Sequence, residues 1–331
     1  MSATVTARGD DPILGRSPRD RLPDWILQWG LTGLAIAILV LIAYFFYKLI
    51  DQSTPVFQQS GVFAFVFDND WDPSKNIYGA WPLVVGTIVT SALALLLGVP
   101  VAVAAAIYVS ELCPRPLRGP LTVVIDLLAA VPSVVYGLWG VFVLIPALRP
   151  VENWIGHTLS FVPFIGLPDD QTVAGPNYFI AGLILAIMIL PITSAIAREV
   201  IATVPKEHKE AALALGATRW EMIRMSIIPY ARPGIVGGAM LGLGRAIGET
   251  IAVTLVIGNA PVIGKNIWDQ GYTLAAVIAN EFGEAASDKL HTSALLAAGL
   301  VLFVLTLVIN ALARAGVNRR SERRMQVGAA A

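Results

Sequence analysis

From Trp25 to Tyr47 the chain carries no charged side chain, and a helix needs about 20 apolar residues to cross the hydrocarbon core of a bilayer. Five further segments are long and apolar. An uncharged run extends from Asn76 to Ser110, with a helix expected over 80–110; 178–197 and 292–313 are likewise uncharged, while 121–148 holds Asp126 and 234–258 holds Arg245 and Glu249. In lipid every backbone polar group must be satisfied within the protein, which leaves helices for segments of this length. The expected fold is therefore all-α, a polytopic transmembrane helical bundle of six spans. Composition excludes a water-soluble enzyme: 14% of residues are charged and 56% hydrophobic, where soluble domains carry roughly a quarter charged residues.

Orientation follows from the placement of Lys and Arg, which cytoplasmic flanks retain. With the N-terminus inside, seventeen of the 23 basic residues lie in segments 1–24, 111–120, 198–232 and 314–331. Lys75, Arg149, Lys265 and Lys289 fall outside, while Lys48 and Arg245 lie in or beside helices. Both termini are expected in the cytoplasm. The organisation is a tail over 1–24, a transmembrane domain over 25–313 containing a charged cytoplasmic loop at 198–232, and a tail over 314–331. Residues 1–24 mix arginines with aspartates and precede an apolar run longer than a secretory h-region, so they read as a tail, not a cleaved signal. The outside loops lean acidic, with Asp68, Asp70, Asp72, Glu281, Glu284 and Asp288. Such an exterior repels anions, so an anionic substrate would need another component to deliver it. The single cysteine, Cys113, excludes an intrachain disulfide and a cysteine-cluster metal site, and no metal site is expected.

Several residues depart from a plain lipid-filling bundle. Pro100, Pro132 and Pro191 fall inside expected spans, each removing a backbone donor, and are candidate helix hinges. Gly234, Gly237, Gly238, Gly242, Gly244 and Gly248 crowd the fifth span, where they serve close helix packing or gating. Arg245 lies about 17 Å along that helix from Gly234, near the bilayer middle. Glu249 follows at i+4 and Thr250 beside it. A charge at that depth faces a bundle interior or an aqueous path. Arg245 and Glu249 would form either a structural ion pair or part of a ligand path lined by small residues. Asp126, near the cytoplasmic end of the third span, is explained by snorkelling or a helix N-terminus.

The loop 198–232 carries Glu207 to Leu215, rich in alanine and leucine, then Gly216. The run reads as a short helix ended by Gly216 in the left-handed region. Thr218 would cap the next helix, with Glu221 at its third position completing a capping box. Two short helices around a glycine, ending toward Pro229 and Pro233, describe a protruding docking element.

Glu210-Ala211-Ala212, Gly216 and Ile228-Pro229, thirteen residues beyond the glycine at the proline, resemble the EAA signature of binding-protein-dependent ABC importer permeases. Ser226 stands where that signature has a bulky aliphatic residue. The segment Gly244-Arg245-Ala246-Ile247-Gly248-Glu249-Thr250 is similar to the phosphate-import permeases in particular. So are Trp71-Asp72-Pro73 with Gly79, Gly86-Thr87, and Tyr108-Val109-Ser110-Glu111. The resemblance implies the type I importer permease fold in a bacterial cell membrane. It implies a heterodimer with a PstA-like sister permease, two copies of a PstB-like ATPase and a PstS-like extracytoplasmic phosphate-binding protein. The loop around Gly216, with Glu210, Ala211, Ala212 and Pro229, would couple to the ATPase. Arg245, with Glu249 and Thr250, would belong to the phosphate path. The chain lacks a G-x-x-x-x-G-K-[ST] phosphate loop, so it is expected to be a non-catalytic subunit without a cofactor, ATP and magnesium being bound by the partner ATPase. The alternatives are the PstA-like sister itself, a molybdate or sulfate permease, and a secondary transporter. The last would show repeated halves, and no second copy of the Arg245 segment stands out.

Overall fold

The computed structural model describes residues 22–168, 170–173 and 175–329; within these, the side chains of 22–24, 26 and 316–329 are not considered. The expected N-terminal tail lies, up to residue 21, outside the described residues, as do the last two residues of the C-terminal one. The chain is α-helical nearly throughout. Helix α1 (Leu22–Ser60) outruns the uncharged stretch that predicts it and continues through Pro55. Among the described residues, 22–51 belong to one compact unit and those from Gln52 onward to a second.

In the second unit α2 (Val62–Phe67) leads to a hairpin of β1 (Trp71–Asp72) and β2 (Ile77–Tyr78), with Trp71 opposite Tyr78. Asp72 makes the turn by accepting from the Ser74 amide at 3.1 Å. Asn76 closes it at φ 55°, a left-handed conformation that asparagine tolerates. Trp71 then donates to Glu281 at 3.1 Å, Glu281 pairs with the buried His291 at 2.9 Å, and the His291 ring stacks on Tyr78. This buried polar cluster pins the hairpin to the last third of the chain.

Helix α3 (Trp81–Ile107) ends in a π-helical turn over Tyr108–Leu112. Helix α4 (Arg115–Ala130) follows, then α5 (Ser133–Trp139), a second π turn (Gly140–Leu144) and α6 (Ile145–Thr158). The third span is thus displaced from the expected 121–148. Pro132, with Val131 extended before it, ends α4, and the continuous apolar segment is Ser133–Thr158. Asp126 sits well inside α4 and pairs with Arg198 at 2.6 Å, so a helix N-terminus is not its explanation.

Helix α7 (Tyr178–Ala202) starts at Asn177, whose side chain accepts from the Ile180 amide at 2.8 Å, an ordinary N-cap. The charged segment 198–232 forms α8 (Lys206–Ala214), α9 (Arg219–Met222) and a third π turn (Ile223–Ile227). Then come α10 (Ile228–Ile247), α11 (Ile251–Val256), α12 (Leu274–Ala285) and α13 (Lys289–Ala329). Among the described residues five helices are long and apolar enough to cross a membrane, one fewer than the six expected. The sixth, 234–258, is divided between α10 and α11 by a break at Gly248, Glu249 and Thr250.

The main core joins α3, α7, α11 and α12 through Leu83, Ile180, Ile184, Ile189, Val256 and Leu274. Close approach depends on glycine: Gly98 of α3 faces the Ala186 backbone, and Gly182 of α7 receives Leu93. A second cluster (Ile107, Ile201, Met222, Ile223, Ile227) roots the helices of the charged segment 198–232. At Gly86 an added Cβ would strike the backbone carbonyl of Tyr272. Gly86→Ala is therefore expected to cost about 1–3 kcal/mol by overpacking, whereas Gly283→Ala, with open space around it, should stay within about 0.5 kcal/mol. Thermal unfolding in detergent micelles compares the two.

Candidate functional site

The interruption between α10 and α11 is local in origin. Gly248 ends α10 at φ −89° and ψ 0°, and its amide reaches the Gly244 carbonyl at 3.3 Å. Helix α11 restarts with Glu249 folding back, its carboxylate accepting from the Ala252 amide at 3.4 Å. Thr250 precedes the first turn, and its carbonyl accepts from the Thr254 amide and hydroxyl. Irregular backbone at membrane depth is tolerated where protein buries it or where it lines a cavity.

Arg245 lies in the last turn of α10, where a cation complements the helix dipole. Its side chain is exposed in this chain, and among the described residues it has no hydrogen bond and no ion pair. Glu249 is not its partner. The helix stops before Glu249, so the i+4 relation does not hold and the carboxylate is used on α11. Of the two sequence alternatives, the intrachain structural pair is absent from the structure.

The glycines of this helix divide into two faces. Gly234, Gly238 and Gly242 recur every four residues and meet Val200, Ile196 and Ile189 with Thr193 on α7. Gly237 and Gly244 have nothing within 4 Å of an added Cβ, and Gly248 meets only its own helix at 3.5 Å. Leu241, 63% exposed, lies with them. One face is therefore close packing and the other, which carries Arg245, is left open.

The second predicted element forms as a protruding helix–glycine–helix. Gly216 adopts φ 86°, and the Gly216 and Ala217 amides bond back to Leu213 and Ala212, the paired bonds of a Schellman end. Thr218 and Glu221 make the reciprocal capping box. That exchange holds the Glu221 carboxyl below its usual range, first through the Thr218 amide and then its hydroxyl. Glu210, Ala211 and Gly216 are exposed, Ala212 and Pro229 half-buried. Leu215 is 90% and Trp220 62% exposed, an apolar ridge on an otherwise charged loop. A groove of about 730 Å³ runs between α8 and the π turn, lined among others by Glu207, Ala211, Leu215 and Met225. Ser226 donates to the His208 carbonyl at 3.2 Å, a tie across the groove that a bulky aliphatic residue could not make.

The three prolines divide. Pro132 stands at a real helix boundary, whereas Pro100 and Pro191 lie inside uninterrupted helices α3 and α7. Sequence reasoning missed the ion pairs Lys209–Glu111 and Arg198–Asp126, both at 2.6 Å. Their members are 98 and 72 residues apart in the chain, and no local signal pairs them.

Residues 98–322 match the family described as the binding-protein-dependent transport system inner membrane component. The phosphate transport system permease protein PstC of Mesorhizobium japonicum is 44% identical, the match covering 90% of this chain and 93% of that one. PstC of Pasteurella multocida is 42% identical over 85% and 87% of the two chains. The probable PstC of Methanocaldococcus jannaschii is 40% identical over 82% and 85%. Among solved structures, a chain of a bacterial ABC transporter involved in import of the acidic polysaccharide alginate superposes with a TM-score of 0.61. That match has 20% identity and covers 91% of this chain and 98% of that one, a likeness of fold alone.

The capping box makes a local prediction. Thr218→Ala removes the side-chain acceptor of the Glu221 amide and should cost about 1 kcal/mol locally. Hydrogen exchange of peptides covering Arg219–Met222 is expected to quicken about fivefold, with exchange in α3 and α7 unchanged.

Proposed function

Because the chain belongs to the binding-protein-dependent transport system inner membrane components, and to the phosphate permeases among them, we propose that it forms half of a phosphate path and docks an ATPase around Gly216. The protein is the membrane permease subunit of a phosphate importer, a multi-pass, non-catalytic component of an inner-membrane ABC transporter. The finer assignments are our reading. Its partners are a PstA-like permease completing the path, two PstB-like ATPase subunits binding ATP and magnesium, and a PstS-like protein delivering phosphate outside. Both termini lie in the cytoplasm, and residues 25–313 form the permease domain.

One observation carries the path: Arg245 stands unpaired on the open face of α10, one turn before a break in the helix. A guanidinium offers an oxyanion planar, bidentate donors and has no proton to lose at physiological pH. An open face lets the sister permease enclose the site from the other side. Glu249 and Thr250 flank the break, and Glu249 moderates the site electrostatically, so that phosphate is held weakly enough to leave. Pro132, at the boundary of α4 and α5, is the best-placed hinge of the three prolines. The exposed ridge of Leu215 and Trp220, beside Glu210, Ala211 and Gly216, supports docking of the ATPase.

In vesicles carrying the whole complex, Arg245→Lys and Arg245→Gln should lower phosphate uptake roughly tenfold or more, Gln more than Lys. Each lost charge-assisted hydrogen bond is worth about 1.5–3 kcal/mol. Glu249→Gln should raise phosphate occupancy and slow release. Recovery of uptake by Arg245→Gln with Glu249→Gln would reveal a structural pair formed in the assembly and overturn the substrate role. For docking, Glu210→Arg or Gly216→Pro should leave the permease inserted but reduce co-purification of the ATPase; retention at wild-type amounts would count against it.

Orientation is read separately. With the buried Cys113 replaced by serine, cysteines at Ser74 and Ser287 should react with an impermeant reagent from outside, and one at Leu215 only from the cytoplasmic side.

A further inference from the structure

Helix α8 is held to the rest of the chain by two polar ties, and each ends on a π-helical turn. Lys209 turns inward from α8, opposite in sense to the exposed Glu210 and Ala211, and its Nζ meets Glu111 Oε1 at 2.6 Å. Glu111 belongs to the π turn Tyr108–Leu112 that ends α3. The second tie is the Ser226 hydroxyl on the His208 carbonyl, and Ser226 belongs to the π turn Ile223–Ile227 that opens into α10. Among the described residues these two turns and Gly140–Leu144 are the π-helical segments of the chain. A π turn accommodates one residue more than the α-helix around it and tends to occur at functional sites.

The ion pair is partly desolvated. The Lys209 and Glu111 side chains are 20% and 15% exposed, so each would be left as a poorly solvated charge without the other. From Glu111 the contacts run on through rigid packing. Helix α3 meets α7 at Gly98 and Gly182, and α7 meets α10 at Gly234, Gly238 and Gly242, on the helix whose other face carries Arg245. An element packed this closely transmits displacement instead of absorbing it.

We propose that Glu111 and Lys209 are a positioning pair, a strut that passes displacement of the docking helix to α3 and so to the helix bearing Arg245. The proposal rests on the reading that the loop around Gly216 docks an ATPase. The pair touches neither phosphate nor nucleotide; its role is to keep hydrolysis in step with transport.

The test is the ratio of phosphate imported to ATP hydrolysed, in vesicles carrying the whole complex with its ATPase and phosphate-binding protein. ATP-driven uptake by the unmodified complex is the control for the importer reading, and its absence would overturn that reading without touching the strut. With uptake established, Glu111→Gln should leave the ATPase co-purifying at the wild-type ratio and hydrolysis running, while phosphate per ATP falls about tenfold, within the range of coupling energies for contacting charges. Lys209→Met should lower the ratio equally. The double variant should match either single one, because the same strut is lost in all three. An unchanged ratio in Glu111→Gln overturns the proposal, as does a multiplied loss of about a hundredfold in the double, which would mean independent roles. Loss of the ATPase from Glu111→Gln would make the pair an anchor of the docking helix and not a transmitter, and that too would overturn it.

Discussion

A guanidinium without a counter-charge is among the most expensive groups to hold at membrane depth, by a few kcal/mol at the least. In the proposed path Arg245 takes that place, on a helix whose other face has been cut down to glycine. Gly234, Gly238 and Gly242 let α7 approach so closely that α10 is fixed in rotation, since a side chain at any of them would collide with Ile196, Val200 or Ile189. The packed face thus determines where the open face points. Gly237 and Gly244 leave room around the guanidinium, and Gly248 ends the helix one turn later. The break itself costs backbone hydrogen bonds. Glu249 returns one by capping Ala252, and in doing so is kept from neutralising Arg245. Pairing the two would quench the positive potential that an oxyanion needs.

The same close packing explains why the loop around Gly216 can be mechanically informative. Its helices are short, and α8 alone has no buried residue. Their position comes from Met222, Ile223 and Ile227, which sit in the cluster with Ile107 and Ile201, and from the Lys209 and Ser226 ties. A loop rooted this way moves with the helices it is rooted in. Its outward surface, with Leu215 and Trp220 bare, is free to be covered.

Much of this was legible in the sequence because the relevant forces are local. Uncharged length predicts spans, and four of the six expected lie within uninterrupted helices; the third is cut at Pro132, its apolar helix starting beyond, and the fifth at Gly248. Gly216 and the Thr218–Glu221 box were readable because an αL stop and a cap are each written within a few residues. What escaped is decided by tertiary contact. Pro132 terminates a helix while Pro100 and Pro191 do not, although the three look alike in sequence. The i+4 spacing of Arg245 and Glu249 assumed a helix that Gly248 ends. The four-residue spacing puts Gly234, Gly238 and Gly242 on one ridge, but what that ridge meets is set by α7, which the spacing does not identify. The partners of Lys209 and Asp126 lie far along the chain and carry no spacing signal.

The outer face bears on how an anion could reach Arg245 at all. Counting charges suggests a repulsive acidic surface, but several of those acids are already occupied. Asp72 is held at about 2 by Lys75 and then Ser74, so it stays ionised and bound within the hairpin turn across the physiological range. Glu281 is engaged by Trp71 and His291, and Asp269 accepts from the Lys265 and Asn266 amides at 2.7 and 2.9 Å. Burial, with the nearby Asp288 and Glu281 carboxylates, raises the Tyr78 phenol to about 12, so that ring stacks on His291 as a neutral group. These contacts make the acids internal braces of the loops; Lys75 offsets the charge of Asp72, while acids held by neutral donors keep theirs. Even so, nothing among the described outer residues concentrates anions toward α10. A free oxyanion would meet a face that does not attract it, and capture must precede entry. On the proposed reading, this is the physical reason for such a permease to work with a separate delivering protein, and for Arg245 to stand on an open helix face instead of at the mouth.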